Sequence, residues 1–257
     1  MAEEEITIKK APEKRANAPR GAFVEKAFDK ESWMPVTALG KKVKSGEIKD
    51  IDEILDRGGT ILEAQITDCL LPGLVTDLLA IGQSKGKFGG GKKSIWRQTQ
   101  KKTPEGNKPS FATLAVVGNR NGYVGIGHGK AKETVPAREK AVREAKINLI
   151  KVRTGCGSWE CKCASPHSIP FAVEGKVGSV RIRLMPAPKG TRLCAEKECS
   201  KMLALAGIKD IYSKTVGHTG TKMNLIFACF EALKQLSVVK VKAEHYKSAG
   251  IVEGNKK

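Results

Sequence analysis

Phe111-Ala112-Thr113-Leu114-Ala115-Val116-Val117-Gly118-Asn119-Arg120-Asn121-Gly122-Tyr123-Val124-Gly125-Ile126-Gly127-His128-Gly129 is the stretch on which the reading of this chain turns. Its first seven residues are apolar or β-branched and predict a strand that stops at Gly118-Asn119. Asn121-Gly122 is a hairpin signal, because both residue types tolerate positive φ, and Tyr123–Ile126 returns as the next strand. The glycines after it, with His128, are expected in a turn. From about Glu133 to Leu149 the pattern changes to helical: Ala137, Ala141, Ala145 and Leu149 recur every four residues with Val142 alongside. Arg138, Lys140, Arg143 and Lys146 fall largely off that stripe, and Pro136 sits in the first turn, where its missing N–H costs nothing. Residues 94–101 supply an earlier strand. The order strand–strand–strand–helix predicts a small sheet with one face covered.

Working outward, residues 1–31 mix Glu, Lys, Ala and Pro with little apolar periodicity and predict a flexible tail, with Lys14-Arg15 and Arg20-Gly21 within it. Residues 32–80 predict a helical extension. Val36, Leu39 and Val43, then Ile51, Ile54 and Leu55 after Asp50 or Asp52, keep helical spacing; Gly58-Gly59 interrupts and Pro72-Gly73 ends the pattern. Residues 81–93 form a Gly- and Lys-rich loop and 151–168 a linker. A second α/β unit is expected over 169–240, with strands at 171–177, 179–185 and 208–212 and helices at 196–206 and 222–236. In its second strand Val180, Ile182 and Leu184 alternate with Ser179, Arg181 and Arg183. Residues 241–257 are read as a tail. The fold class is α+β.

Charge narrows the function. The 257 residues carry 46 Lys+Arg against 27 Asp+Glu, a net charge of +19. Residues 81–155 hold 17 basic and 4 acidic side chains, whereas residues 1–80 hold 12 and 15. Solubility needs no such concentration of one sign, so an anionic polymer is the expected partner, nucleic acid ahead of a membrane surface. A hydrophobic content of 40% supplies a core and excludes a wholly disordered basic chain. No apolar run approaches the ~18 residues of a spanning helix, Met1–Glu5 lacks the features of a secretory signal, and seven cysteines, an odd number, suggest reduced thiols and an intracellular setting. The phosphate contacts expected from position are Lys92, Lys93, Arg97, Lys101, Lys102, Lys108, Arg120, Lys130 and Lys132, with Lys130 and Lys132 just ahead of a helix N-terminus.

Cys156, Cys161, Cys163 and His167, spaced C-x4-C-x-C-x3-H, offer three thiolates and an imidazole, a closed tetrahedral set suited to structural zinc. Cys69, Cys194, Cys199 and Cys229 lie on apolar patterns and are expected in the core. Gly86–Lys92 fits G-x-x-x-x-G-K, which raises an alternative function as a nucleotide-dependent phosphotransferase. The next residue is Lys93 rather than Ser or Thr, and a strand rather than a helix is expected after it. The glycines from Gly122 to Gly129 do not form a dinucleotide fingerprint, since the downstream acidic partner is missing. No triad or carboxylate pair stands out, and no catalytic residues are assigned.

Phe111–Gly129 with Lys130-Ala131-Lys132 and the helix resembles the signature of small-subunit ribosomal protein five, the universal S-five family. Trp33-Met34-Pro35-Val36-Thr37 with Leu39-Gly40, Gly155–Cys161, Leu184–Gly190 and Ala206–Asp210 resemble further segments of its archaeal and eukaryotic members, in family order over residues 32–236. The resemblance implies an N-terminal domain like a double-stranded-RNA-binding fold over 94–150 and a C-terminal α/β domain with a left-handed βαβ crossover. It implies a non-enzymatic constituent of the small ribosomal subunit, not a homo-oligomer and with no membrane association. Its partners would be small-subunit ribosomal RNA, mRNA where the message enters near the decoding region, and the neighbouring proteins numbered four and eight. It also implies that a hairpin loop, here Lys101–Lys108, reaches into RNA and supports translational accuracy. The chain departs from the family pattern at 82–93, which looks like an insertion, and at Thr191-Arg192-Leu193, where a smaller Gly-containing run is usual.

Overall fold

The structure, a computed structural model, describes residues 30–84, 86, 91, 93–161 and 163–254. Most of the expected tail, Lys92 and most of the Gly86–Lys92 loop lie outside the described residues. Three short helices, α1 (Ala38–Ser45), α2 (Ile51–Asp56) and α3 (Ala64–Leu70), lead into β1 (Val75–Leu79). Then come β2 (Arg97–Thr103), β3 (Gly106–Gly118), β4 (Tyr123–Ala131), α4 (Thr134–Ile147), β5 (Leu149–Lys151) and β6 (Arg153–Thr154). The second half holds β7 (Val173–Val177), β8 (Val180–Pro186), β9 (Leu193–Cys194), α5 (Lys197–Leu205), β10 (Ile211–Val216), α6 (Lys222–Val238), α7 (Ala243–Ser248) and β11 (Val252–Glu253).

The strand–hairpin–helix expectation holds, with longer strands. The first sheet runs β1-β3-β4-β5, and β2 joins β3 on the edge that β1 occupies farther along. Strand β4 does not stop at Ile126: it continues through the glycines to Ala131, so Gly127, His128 and Gly129 lie in the strand rather than in a turn. The reason is packing. Gly125, Gly127 and Gly129 alternate onto the face that α4 covers, and a Cβ on each would come 2.0–2.2 Å from the carbonyl oxygens of Ala145, Ala141 and Ala137. Glycine against alanine lets helix and sheet approach at backbone distance, and those three alanines are fully buried.

The opposite face of the sheet carries Leu114, Val116, Val124 and Ile126 into the main core, where they join Met202, Leu203, Leu225 and Ile226. Helices α5 and α6 therefore lie between two sheets, α5 against β3 and β4, α6 against β7 and β8. The second sheet runs β7-β8-β10-β9; its pairs are antiparallel except β9 and β10, which run parallel and are joined through α5. Its outer face is open.

Three readings are corrected. Residues 75–79, placed in the helical extension, form β1 and pair with β3 from Val75↔Gly118 to Leu79↔Leu114. Residues 241–254 are not merely a tail: β11 pairs antiparallel with β6, Arg153 Nε meets Glu253 Oε1 at 2.7 Å, and the Cys156 N–H donates to the Ala249 carbonyl at 2.7 Å. Of the four cysteines expected in the core, Cys199 and Cys229 are buried and Cys69 is half-buried, but Cys194 is exposed, because it sits on the edge strand β9. Among the described residues no helix is long and apolar enough to cross a membrane.

Candidate nucleic-acid interface and metal centre

Strands β2 and β3 pair from Arg97↔Ala112 to Thr103↔Gly106, so the turn is Thr103–Gly106 and not the whole of Lys101–Lys108. The loop expected there is a two-stranded ladder. All of β2 except Thr103 is exposed, as are residues 106–109 of β3, because this part of the hairpin extends past β1 and α4. Arg97–Lys101 of β2 fall within the strand expected over 94–101, and only the loop expected at Lys101–Lys108 gives way to paired strands.

Register decides which cations share a face. Cross-strand partners lie on one side and alternate residues on the other. Lys101 stands directly opposite Lys108; Thr99–Ser110 and Arg97–Ala112 continue that side, and Ala112 pairs in turn with Lys130 of β4. Arg97, Lys101, Lys108 and Lys130 therefore form one basic row. Lys102 points to the other face of the ladder. Like charges directly opposite one another destabilise a sheet, and the single acid nearby, Glu105, takes one of them, Lys108, at 2.7 Å. The hydroxyls of Thr99 and Ser110 lie 2.9 Å apart within the same row. Such a surface suits a sugar–phosphate backbone, which supplies the missing negative charge and accepts from the hydroxyls.

The remaining expected contacts are scattered. Lys93 is exposed and bridges Ser84 at the foot of the Gly/Lys loop. Lys130 belongs to β4 rather than to the turn before α4, and Lys132 alone occupies that turn. Arg120 is in the β3–β4 turn with φ 61°, about 30 Å from Lys108 along β3, and cannot share its ligand segment. The Gly86–Lys92 loop leads into β2, not into the helix that a nucleotide-phosphate site requires, so the phosphotransferase reading lacks its frame.

The structure brings together all four expected metal ligands. Their ligand atoms lie within 4.8 Å of one another, and Cys161 Sγ is 3.9 Å from His167 Nε2. A tetrahedron with zinc–sulfur bonds of about 2.3 Å has edges of about 3.8 Å, so the set needs only a small contraction to close on one ion. Gly157 makes the loop possible: a Cβ there would lie 2.0 Å from the Pro170 carbonyl. Burial pushes the Cys156 thiol up, whereas the Ser165 hydroxyl and N–H bring the exposed Cys163 down to about 6, already thiolate at neutral pH.

Sequence reasoning missed Asp210. Its Oδ2 lies 2.9 Å from His167 Nδ1, which leaves Nε2 facing the thiols, and its Oδ1 accepts from the N–H groups of Gly190 and Arg192 at 3.1 and 2.7 Å. A carboxylate behind a histidine ligand fixes the tautomer that can bind a metal. The same carboxylate anchors the 188–192 loop, where Arg192 adopts φ 64°. Glycine would take that left-handed backbone without strain, so Arg192 holds it only because the loop is anchored. Asp210 closes the Ala206–Asp210 segment noted in the sequence, but nothing there tied it to His167, 43 residues away.

Comparison with known proteins covers both halves. A family model described as "Ribosomal protein S5, N-terminal domain" matches residues 95–153, and "Ribosomal protein S5, C-terminal domain" matches residues 175–245. The chain is 49% identical over 225 residues to a protein of Nanoarchaeum equitans named "Small ribosomal subunit protein uS5", covering 88% of this chain and 96% of that one. Proteins of the same name from Methanocaldococcus jannaschii and Methanosphaera stadtmanae are 46% and 43% identical, over 88% and 93% of this chain and 98% and 99% of theirs.

Proposed function

Because this chain belongs to the ribosomal protein S5 family, we propose that it is fastened in the small ribosomal subunit by its basic row, with the β2–β3 hairpin laid against ribosomal RNA. It is a structural constituent of that subunit and not an enzyme. The observation that carries the RNA contact is the row Arg97, Lys101, Lys108 and Lys130, assembled on one exposed face with two lysines in register. Recognition there is by phosphate charge and backbone shape rather than by base identity, since the row has hydroxyls and cations but no aromatic platform. Lys93, Lys102, Arg120 and Lys132 add contacts outside the row.

Family resemblance supports several finer points. The half built on β2-β3-β4-α4 is of the double-stranded-RNA-binding type, and the parallel β9–α5–β10 unit is the left-handed crossover. The protein sits beside the proteins numbered four and eight, near the passage by which mRNA enters, on cytoplasmic ribosomes, and its hairpin supports decoding accuracy. Cys156, Cys161, Cys163 and His167 hold one zinc ion, which would fasten the linker; a closed set of four protein ligands leaves no position for a substrate.

Co-sedimentation with small ribosomal subunits at moderate salt tests the assignment; a chain found only in the free pool refutes it. Replacing both Lys101 and Lys108 with Gln should lower the slope of log affinity against log salt by about 1.4–1.8, two phosphate contacts at ~0.7–0.9 each. An unchanged slope removes the row from the interface. For the metal, elemental analysis of protein purified under reducing, chelator-free conditions should give about one zinc per chain.

A further inference from the structure

The outer face of the second sheet carries an arrangement of charge that the hairpin does not account for. Its strands alternate cleanly: Val173, Gly175, Val180, Ile182 and Leu184 face the core, and the residues between them face outward. Register then builds two rows. Lys176 of β7, Arg181 of β8 and Val216 of β10 form one; Glu174, Arg183 and Lys214 form the next. All six side chains belong to exposed residues. Lys176 is directly opposite Arg181, and Arg183 directly opposite Lys214. Two like-charge cross-strand pairs on one sheet face oppose folding, and solubility would be served as well by alternating signs. The one acid, Glu174, reaches only Arg183, at 3.5 Å, with both side chains more than half exposed.

We infer that this face is a second RNA-binding surface, separate from the hairpin, that grips a sugar–phosphate backbone across strands β7, β8 and β10. The inference rests on the reading of the chain as an RNA-binding constituent of the small subunit. Charge complementarity selects the occupant: four cations against one acid, two of them arginines two residues apart on the central strand, so that their side chains leave one side of it from positions about 6.6 Å apart. Sheets that read bases place aromatic side chains on the central strands, whereas here those positions are Arg181 and Arg183, and the one exposed aromatic of this sheet, Tyr212, lies a row farther on, opposite Met185. The surface is therefore built to hold phosphates without sequence preference. The layer order of the fold separates it from the hairpin row: α5 and α6 lie between the two sheets, and this face is turned away from them.

The test uses the full chain and a transcript of small-subunit ribosomal RNA, with affinity measured across a salt series. Arg181→Gln together with Arg183→Gln should lower the salt slope by about 1.4–1.8, while Arg181→Lys with Arg183→Lys keeps it, because lysine still neutralises a phosphate. The Lys101→Gln and Lys108→Gln pair is measured beside it, and the two decrements should add. If the sheet pair leaves the slope unchanged while the hairpin pair lowers it, the second surface is refuted and the first reading stands. If the hairpin pair is silent and the sheet pair is not, the reverse holds. A sheet variant that binds the transcript like the wild type, yet is lost from reconstituted subunits, makes this face a protein-docking surface and overturns the RNA assignment. Equal loss in the lysine and glutamine pairs, with circular dichroism unchanged, overturns the role of charge.

Discussion

Replacing Asp210 with asparagine isolates what the carboxylate does for the proposed zinc site. Asp210 and His167 are 7% and 6% exposed at their side chains, so water cannot readily substitute for their 2.9 Å hydrogen bond. In the variant the amide oxygen stays where Gly190 and Arg192 N–H hold Oδ1, and the amide NH2 turns toward His167. Facing a donor, Nδ1 must act as acceptor, the ring proton moves to Nε2, and the nitrogen beside the thiols loses the lone pair that would bind a metal. Loss of such an outer partner typically costs 10–100-fold in affinity, or about 1.4–2.8 kcal/mol. The loop hydrogen bonds survive, so stability of the metal-free chain should change little. Zinc competition against a chelator, in reducing buffer, reads the affinity, and urea unfolding of metal-free protein reads stability. Wild-type zinc affinity in Asp210→Asn would refute the reasoning, since it would mean that the carboxylate does not set the tautomer.

Three further outcomes are expected from other parts of the molecule. Gly127→Ala puts a methyl group 2.2 Å from backbone atoms of Ala141 and Ala145, which cannot rotate aside as a side chain would; urea unfolding should show a loss of about 3 kcal/mol or more. Burial pushes the Glu196 carboxyl up, but its bond to Lys222 and those from the Glu198 and Cys199 N–H groups outweigh burial and hold it below the ordinary value of 4.5. Its contribution is therefore complete above about pH 4.5 and is lost as pH falls through the folded value, so Glu196→Gln should flatten the acid limb of a stability-against-pH curve. In metal-free reduced protein, Cys163 should alkylate ahead of Cys156, as its thiol sits near 6 while burial raises the other; added zinc should suppress it, read by mass spectrometry of the peptide.

Parts of this structure were legible in the sequence wherever one local rule acted alone. Asn121-Gly122 marked the β3–β4 hairpin, although positive φ falls at Arg120 and Gly122 rather than at Asn121, and the alanine stripe marked α4, because turn residues and a helical period each act within a few residues. The grouping of Cys156, Cys161, Cys163 and His167 was legible for the same reason. What escaped depends on distant partners. Strand β1 has five residues and directly follows a helical pattern; only its pairing with residues 114–118 makes it a strand. The true extent of β4 was hidden because Gly127 and Gly129 read as a turn until α4 is set against them. The Lys101–Lys108 ladder was hidden by exposure, since polar residues on both faces leave no period to detect. Asp210 joins the Cys/His cluster only through the fold.

The return of residues 249–253 to the linker also sets an order of events during synthesis. Val252 reaches the ribosome's exit 98 residues after Thr154, the residue it pairs with. At about 5–20 residues per second that interval lasts roughly 5–20 s. During it the basic hairpin has already emerged and can meet nucleic acid, while Cys156 still lacks the Ala249 carbonyl and Arg153 lacks Glu253. A product released before residue 249 would carry the whole basic row of the hairpin on a linker without its β11 partner. Closure of β11 on β6 thus waits until residues 249–253 have been made.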